Sequence, residues 1–324
     1  MTLTNYPNGI SSFGIPVIGD IPPTFGNVYF VDYRNGSDGN TGKSTSKAFK
    51  TLSKAYGAAV SNNNDVILID GDSTVVETAM IDWTKNRVHV IGLNGVGARM
   101  GNGAKVSLTA TATATNIATL KVTGVRNTFS NIKWMNASTV AEGIYCVADG
   151  GEFTRWYNCE FYKSTDLDVT GAAELLCNGD SCSYVNCAFG STVNAISGAI
   201  IRPCVLLSRE TITGKVCRDT SFINCLFMRK CGNTANRFVY GAGATDVERM
   251  LLFDNCIFWN TKLAAAVPAQ NVALGATQTE GEVLLNNCIS MNAATAMSTT
   301  TGVFVNGPTM GAVGDTVGIA IQCS

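Results

Sequence analysis

The chain has 324 residues, 15% of them charged, 46% hydrophobic, with a net charge of −1. That balance excludes the basic excess of a nucleic-acid binder. No apolar run reaches the roughly 20 residues of a membrane-spanning helix, so neither nucleic acid nor membrane is an expected partner.

Residues 1–27 carry no Lys or Arg, one acid (Asp20) and four of the seven prolines, Pro7, Pro16, Pro22 and Pro23. So many prolines rule out a helix or an interior strand. The stretch is nonetheless apolar, with Tyr6, Ile10, Phe13, Ile15, Val17, Ile18, Ile21 and Phe25. Apolar residues without periodicity need a surface to lie on. Two seats are open to this extended arm. One is another protein or a neighbouring subunit, with Tyr6, Ile10, Phe13, Ile15, Val17 and Ile18 as the partner-binding residues. The other is the outside of the chain's own fold. The arm has no basic stretch followed by an apolar core, the mark of a secretory signal, so a cytoplasmic site of synthesis and assembly is expected.

Residues 28–75 read as an opening module. Val28–Asp32 is a strand, and residues 35–42 form a turn-rich loop. Ser46 to Val60 reads as a short helix capped by Ser44 or Ser46, with Phe49, Leu52, Ala55, Tyr56 and Ala59 at helical spacing. Asp65–Ile69 is a buried strand. Further strands are expected at Arg87–Leu93 and Lys105–Thr109, and a half-exposed one at Ala110–Thr115. His89, the single histidine, is expected on a surface or groove.

From there a six-residue phrase recurs. Its clearest copy is Phe222-Ile223-Asn224-Cys225-Leu226-Phe227. Others begin at Trp156, Tyr184 and Phe253, with weaker copies at Phe129 and Leu285. Asn to Asn, from Asn131 through Asn158, Asn186, Asn224 and Asn255 to Asn287, the steps are 27, 28, 38, 31 and 32 residues. A repeat near 30 residues marks a solenoid. Strand side chains alternate with period 2, yet the large apolar residues fall at i, i+3 and i+5. One residue must reset the alternation. Asn tolerates the left-handed conformation best among non-glycine residues, so the phrase reads strand, Asn corner, strand. Stacked coils would form an aromatic ladder, a Cys ladder (Cys159, Cys187, Cys225, Cys256, Cys288) and an Asn ladder (Asn158, Asn186, Asn224, Asn255, Asn287) with amides bonded along the stack. The fold class is therefore all-β, a single-stranded parallel β-helix with one capping helix, its coils filling residues 76–291.

Of the twelve cysteines, five occupy that inward ladder, where a thiol packs as a small hydrophobe. All twelve are expected reduced. No Cys-x-x-Cys occurs, so no metal or other cofactor is expected. The longest step places an insertion at residues 191–215, expected as a protruding loop or hairpin. From Leu263 to Ser324 there is no Lys or Arg, and the only acids are Glu280, Glu282 and Asp315. Much of this surface is read as buried against copies of the chain or another shell protein, the alternative being a neutral, Thr-rich surface that is simply exposed; residues 292–324 are read as a C-terminal cap and interface segment.

Tyr29-Phe30-Val31-Asp32, Asn35-Gly36-Ser37-Asp38, Ala48-Phe49-Lys50-Thr51-Leu52 and Asp65-Val66-Ile67-Leu68 together resemble the opening of pectin-lyase-like right-handed β-helix proteins. The resemblance spans roughly residues 28–290. It implies the fold but no activity, because the family holds lyases, hydrolases, phage tailspikes and inert structural proteins. The arm from Asn5 to Pro16 also resembles the start of short tailed-phage virion proteins, which implies a place in a virion assembled in a bacterial cytoplasm.

Lyases of this fold hold calcium with clustered Asp and use a basic residue to take a proton. Glycosidases need two carboxylates. The acids on offer are Asp166, Asp168 and Glu174, with Asp149 and Glu152 nearby. The family's catalytic Asp and Arg pattern is not recognisable here, so no catalytic residue is carried over. The expectation is a non-enzymatic head-surface decoration protein, attached to capsid shell proteins by its arm as a homotrimer. The alternative is a tailspike or fibre that binds host-surface glycan, with or without cleaving it.

Overall fold

The computed structural model describes residues 11–12, 15–16, 26–93, 103–109, 117–138, 144–163, 172–196, 203–209, 215–231, 237–261, 270–275, 280–291, 297–298 and 300–307. Three sheets wind through them, one strand of each per full coil. The first has ten strands, from Val28–Val31 through Asp65–Ile69, Val88–Gly92, Thr128–Ser130 and their successors to Val303–Asn306. The second has eight, from Thr74–Glu77 to Ile289–Met291, and the third seven, from Ile81–Trp83 to Val272–Leu274. Neighbours in each sheet are parallel and one coil apart, as in Thr128–Ser130 against Arg155–Tyr157, Glu160 and Phe161 against Ala188 and Phe189, and Val147 against Leu175. This is the expected parallel β-helix. Of the arm, only the antiparallel pairing of Ser11–Ser12 with Ile15–Pro16 is described. Tyr6, Ile10, Phe13, Val17 and Ile18, and the side chain of Ile15, lie outside the described residues.

The corner reading holds residue by residue. Asn131, Asn158, Asn186, Asn224, Asn255 and Asn287 all have φ between 48° and 58°. Each backbone N–H donates to the carbonyl preceding the next corner residue, for example Asn186 to Ile223 (2.9 Å) and Asn224 to Asp254 (2.9 Å). The amide ladder is less regular than expected. Asn158 Nδ2 donates to Asn131 Oδ1 (3.2 Å), but the amides from Asn186 onward are exposed to water. There the backbone, not the side chain, carries the stack.

A second left-handed corner, where the third sheet turns into the first, has no such signature. Arg87, Arg126, Phe153, Ser181, Asp219 and Arg249 have φ between 44° and 61°. Their N–H groups make the same coil-to-coil bonds, such as Arg126 to Glu152 (2.8 Å) and Ser181 to Arg218 (2.7 Å). Holding a residue with a side chain there costs about 1–2 kcal/mol, offset by the bonds and core packing that follow.

The interior is one continuous apolar cluster from Tyr29 to Val303. Two aromatic columns dominate it. In one, Phe129, Trp156, Tyr184, Phe222 and Phe253 stack with centroids 4.3 to 6.1 Å apart. In the other, Phe161, Phe189, Phe227 and Phe258 stack at 4.7 to 5.1 Å. The Cys column ties the coils together. Cys187 Sγ donates to the Trp156 carbonyl (3.6 Å), Cys225 to Tyr184 (3.3 Å), Cys256 to Phe222 (3.3 Å) and Cys288 to Phe253 (3.5 Å). The ten cysteines with described side chains are buried and carry no disulfide. Burial pushes the Cys159 thiol up to about 12 and those of Cys225 and Cys256 upward as well. The thiolate is the reactive form. Alkylation of the native protein is therefore expected to leave Cys159, Cys187, Cys225 and Cys256 unmodified by mass spectrometry, and unfolding to expose them. Disulfides between ladder positions would contradict the arrangement.

The capping helix is shorter than its periodicity suggests, Leu52–Ala58. Phe49 is not helical: its N–H bonds the Phe30 carbonyl (2.8 Å) and its carbonyl takes the Asp32 N–H (2.9 Å). Edge pairing to the first strand wins over helical spacing. Thr51, not Ser44 or Ser46, caps the helix by accepting from Lys54 N. Glu77 of the second sheet accepts from Leu52 N (2.8 Å) and Ser53 N (3.2 Å) at the positive end. Lys85 donates to the Tyr56, Gly57 and Ala59 carbonyls at the negative end (2.6, 3.0 and 2.7 Å). Both charges match the helix dipole. Leu52 and Ala55 then close the open core, and Tyr56 stacks on Trp83 (4.2 Å).

The insertion differs from a simple loop. Ala188–Ile196 continues as a strand of the second sheet, with a bulge where five steps from Gly190 to Ala195 face two from Met228 to Lys230, and Val205–Leu207 is a rung of the third sheet. The extra residues are partly absorbed in the coil itself.

Candidate functional site

The acids divide by location. Asp166 and Asp168 lie outside the described residues. Glu174, on the third-sheet strand Ala173–Cys177, is fully buried against the equally buried Arg229. The pair is two-pronged: Arg229 Nη1 donates to Oε1 at 2.9 Å and Nη2 to Oε2. Both carboxylate oxygens are thus engaged by a guanidinium with matching geometry. The arrangement joins residues 55 apart in sequence, which no local pattern announces.

Asp149 is no surface acid either. It ends the strand Tyr145–Asp149 with its carboxylate inside the solenoid, fully buried. Trp156 Nε1 and Tyr184 Oη each donate to Oδ2 at 2.7 Å, and Gly151 N donates to Oδ1 at 3.0 Å. Burial pushes its carboxyl above the usual range, and the three hydrogen bonds with the nearby Lys215 charge work the other way. Burial, and then the Asp149 charge, hold the Tyr184 phenol well above its ordinary value. The signal was available: two ladder aromatics with polar tips need an acceptor. Glu152 is exposed, within a stack of single bridges from Val125 through Glu152 and Asp180 to Arg218.

Around that second corner lies a line of surface ion pairs. Arg218 bonds Asp180 (2.9 Å) and Glu248 (2.6 Å), Arg209 meets Glu280, and Arg249 bonds Asp219 (2.5 Å). Opposite charges on successive rungs relieve the repulsion that stacked like charges would bring. Among the described residues no group of three His, Cys, Asp or Glu side chains is placed to hold a metal ion. No described helix is long and apolar enough to cross a membrane.

His89 is the site sequence reading misplaced. It is 4% exposed, not a surface residue, and neither ring nitrogen has a hydrogen-bond partner among the described residues. Burial lowers its pKa to about 4. The folded state therefore prefers the neutral ring. The stability this confers is complete above the ordinary value near 6.5 and is lost as pH falls towards 4, by up to about 3 kcal/mol. Urea unfolding at pH 7 and pH 4.5 should show that loss in the native sequence and a smaller one in His89→Gln. Equal losses in both would mean that His89 does not titrate as a buried group.

No protein-family model matches the chain, and no curated protein matches it in sequence. Solved structures do match in fold. A pectin methylesterase from Aspergillus niger aligns over 90% of this chain and 92% of its own, with 14% identity and a TM-score of 0.54. A rhamnogalacturonan lyase aligns over 82% and 68%, with 14% identity and a TM-score of 0.50. A Geobacillus virus protein aligns over 79% and 57%, with 12% identity and a TM-score of 0.42. At such identities the first two establish a shared pectate-lyase-type right-handed parallel β-helix and nothing about activity, and the third carries no weight.

Proposed function

We propose that the chain is a non-enzymatic virion structural protein, a β-helix of the phage head surface, held as a homotrimer to shell proteins through its N-terminal arm. The observation that supports it most is the fate of the described acids. Glu174 is consumed in a buried ion pair and Asp149 inside the core, so both serve the fold and neither faces a groove. The likeness of the arm to the start of phage virion proteins and the stretch from Leu263 onward, which lacks Lys and Arg and holds three acids, agree with a protein embedded among others. The second reading, a tailspike or fibre that binds host-surface polysaccharide, is favoured by Trp259. It is 36% exposed on the second-sheet strand Ile257–Asn260, and a sugar face stacks well on an indole.

Host-cell polysaccharide incubated with the purified protein separates the two. The structural reading expects unchanged chain length by size-exclusion chromatography, with Asp168→Asn indistinguishable from the native sequence. Shortening of the polysaccharide that disappears in Asp168→Asn would establish an enzyme.

A further inference from the structure

Two thiols outside the Cys ladder face each other. Cys177 ends the third-sheet strand Ala173–Cys177, and Cys217 begins the first-sheet strand Cys217–Ile223. Both therefore stand where the third sheet turns into the first, one coil apart. The main chain fixes the two coils against each other at this corner. Cys177 pairs in register with Leu207, Asp180 bridges Arg218, and Arg218 N donates to the Gly179 carbonyl (3.2 Å). The ladder thiols donate to carbonyls of the preceding coil. Cys177 and Cys217 bond each other instead, Sγ to Sγ, at 3.4 Å. Both are buried in the core.

We propose that Cys177 and Cys217 are an oxidation site, which a hydroperoxide closes into one disulfide across the corner. A disulfide is about 2.05 Å long, so sulfurs 3.4 Å apart need to approach by only about 1.3 Å. Hydrogen peroxide supplies the balance. Cys217 attacks one peroxide oxygen, the O–O bond breaks, and a sulfenic acid and one water result. The Cys177 sulfur then displaces that hydroxyl, which leaves as a second water with the thiol proton. Each sulfur loses one electron, and the peroxide gains both. Cys217 reacts first because it is where the chain rejoins a strand after residues 191–215, with Lys215 and Arg218 beside it only half-buried. Contact with Cys217, and then burial, hold the Cys177 thiol well above its ordinary value. The closed coil thus reacts slowly, and local opening of the corner sets the rate. The bond joins positions 40 apart in sequence and encloses the insertion with its bulge between Gly190 and Ala195. Cross-linking so long a loop takes freedom from the unfolded chain. A chain made in a reducing cytoplasm acquires the bond only after leaving it. The site is independent of the chain's place in a virion.

The test treats the purified chain with hydrogen peroxide at neutral pH, then unfolds, alkylates and digests it without reductant. Mass spectrometry should find Cys177 joined to Cys217 with two hydrogens lost, and Cys159, Cys187, Cys225 and Cys256 recovered as alkylated thiols. The thermal midpoint of the oxidised chain should stand at least about 3 °C above that of the reduced chain. Dithiothreitol should remove that gain. Cys217→Ser treated in the same way should show neither crosslink nor gain. If that variant does not fold, the dithiothreitol comparison in the native sequence takes its place. Both thiols still free once the exposed Met250 has become a sulfoxide would overturn the proposal. So would sulfinic or sulfonic acid at either position without the crosslink, or a partner other than Cys217 for Cys177.

Discussion

Replacing Phe227 by Ala is expected to cost about 3–5 kcal/mol of stability, the range for truncating a buried aromatic. Its ring is fully buried. It stacks on Phe189 at 5.1 Å and Phe258 at 4.9 Å, and meets Phe253 edge-on at 5.8 Å. Neighbouring coils are held by backbone ladders on three sheets, so the walls cannot collapse into the gap. The cavity term should stand in full, near the top of the range. Denaturant unfolding monitored by circular dichroism gives the value. A loss no larger than that of surface variants would show that the second aromatic column is not the core.

Glu174→Gln is expected to destabilise by a similar amount, about 3–5 kcal/mol, because it breaks a buried, two-pronged ion pair by removing the charge of one partner only. Neither side chain is more than 3% exposed, so water cannot take over. The double variant Glu174→Leu/Arg229→Met should recover most of the loss, since a well-packed apolar pair of similar volume removes the desolvation cost on both sides. A catalytic glutamate would behave differently, with little effect on stability or a gain. A single variant as stable as the native chain would return Glu174 to the list of catalytic candidates.

The repeat was legible because one residue type solves one backbone problem. Asn at each strand junction reports a left-handed corner, and all six positions have it. The second corner was illegible for the opposite reason. Arg126, Phe153 and Asp219 share no chemistry, and closure of the coil forces their backbone into place. The helix was over-read because Phe49 fits its period while its backbone was already committed to the first strand's edge. The acids show the same limit. Asp149, Glu152 and Glu174 look alike in sequence, yet two are interior and one is exposed. What separates them is the company of Trp156, Tyr184 and Arg229, set by the winding of the coils rather than by local spacing. His89 looked peripheral because its strand alternates correctly. It is buried nonetheless, only 4% exposed.

Co-sedimentation with particles that lack the protein bears most directly on the functional reading. Deleting Met1–Gly19 removes Tyr6, Ile10, Phe13, Ile15, Val17 and Ile18 but keeps the anchor from Asn27 to Asp65. The truncated chain should melt like the full one, because every described coil begins after the deletion, and it should no longer sediment with the particles. Truncated protein that is folded and still binds at full occupancy would contradict attachment through the arm.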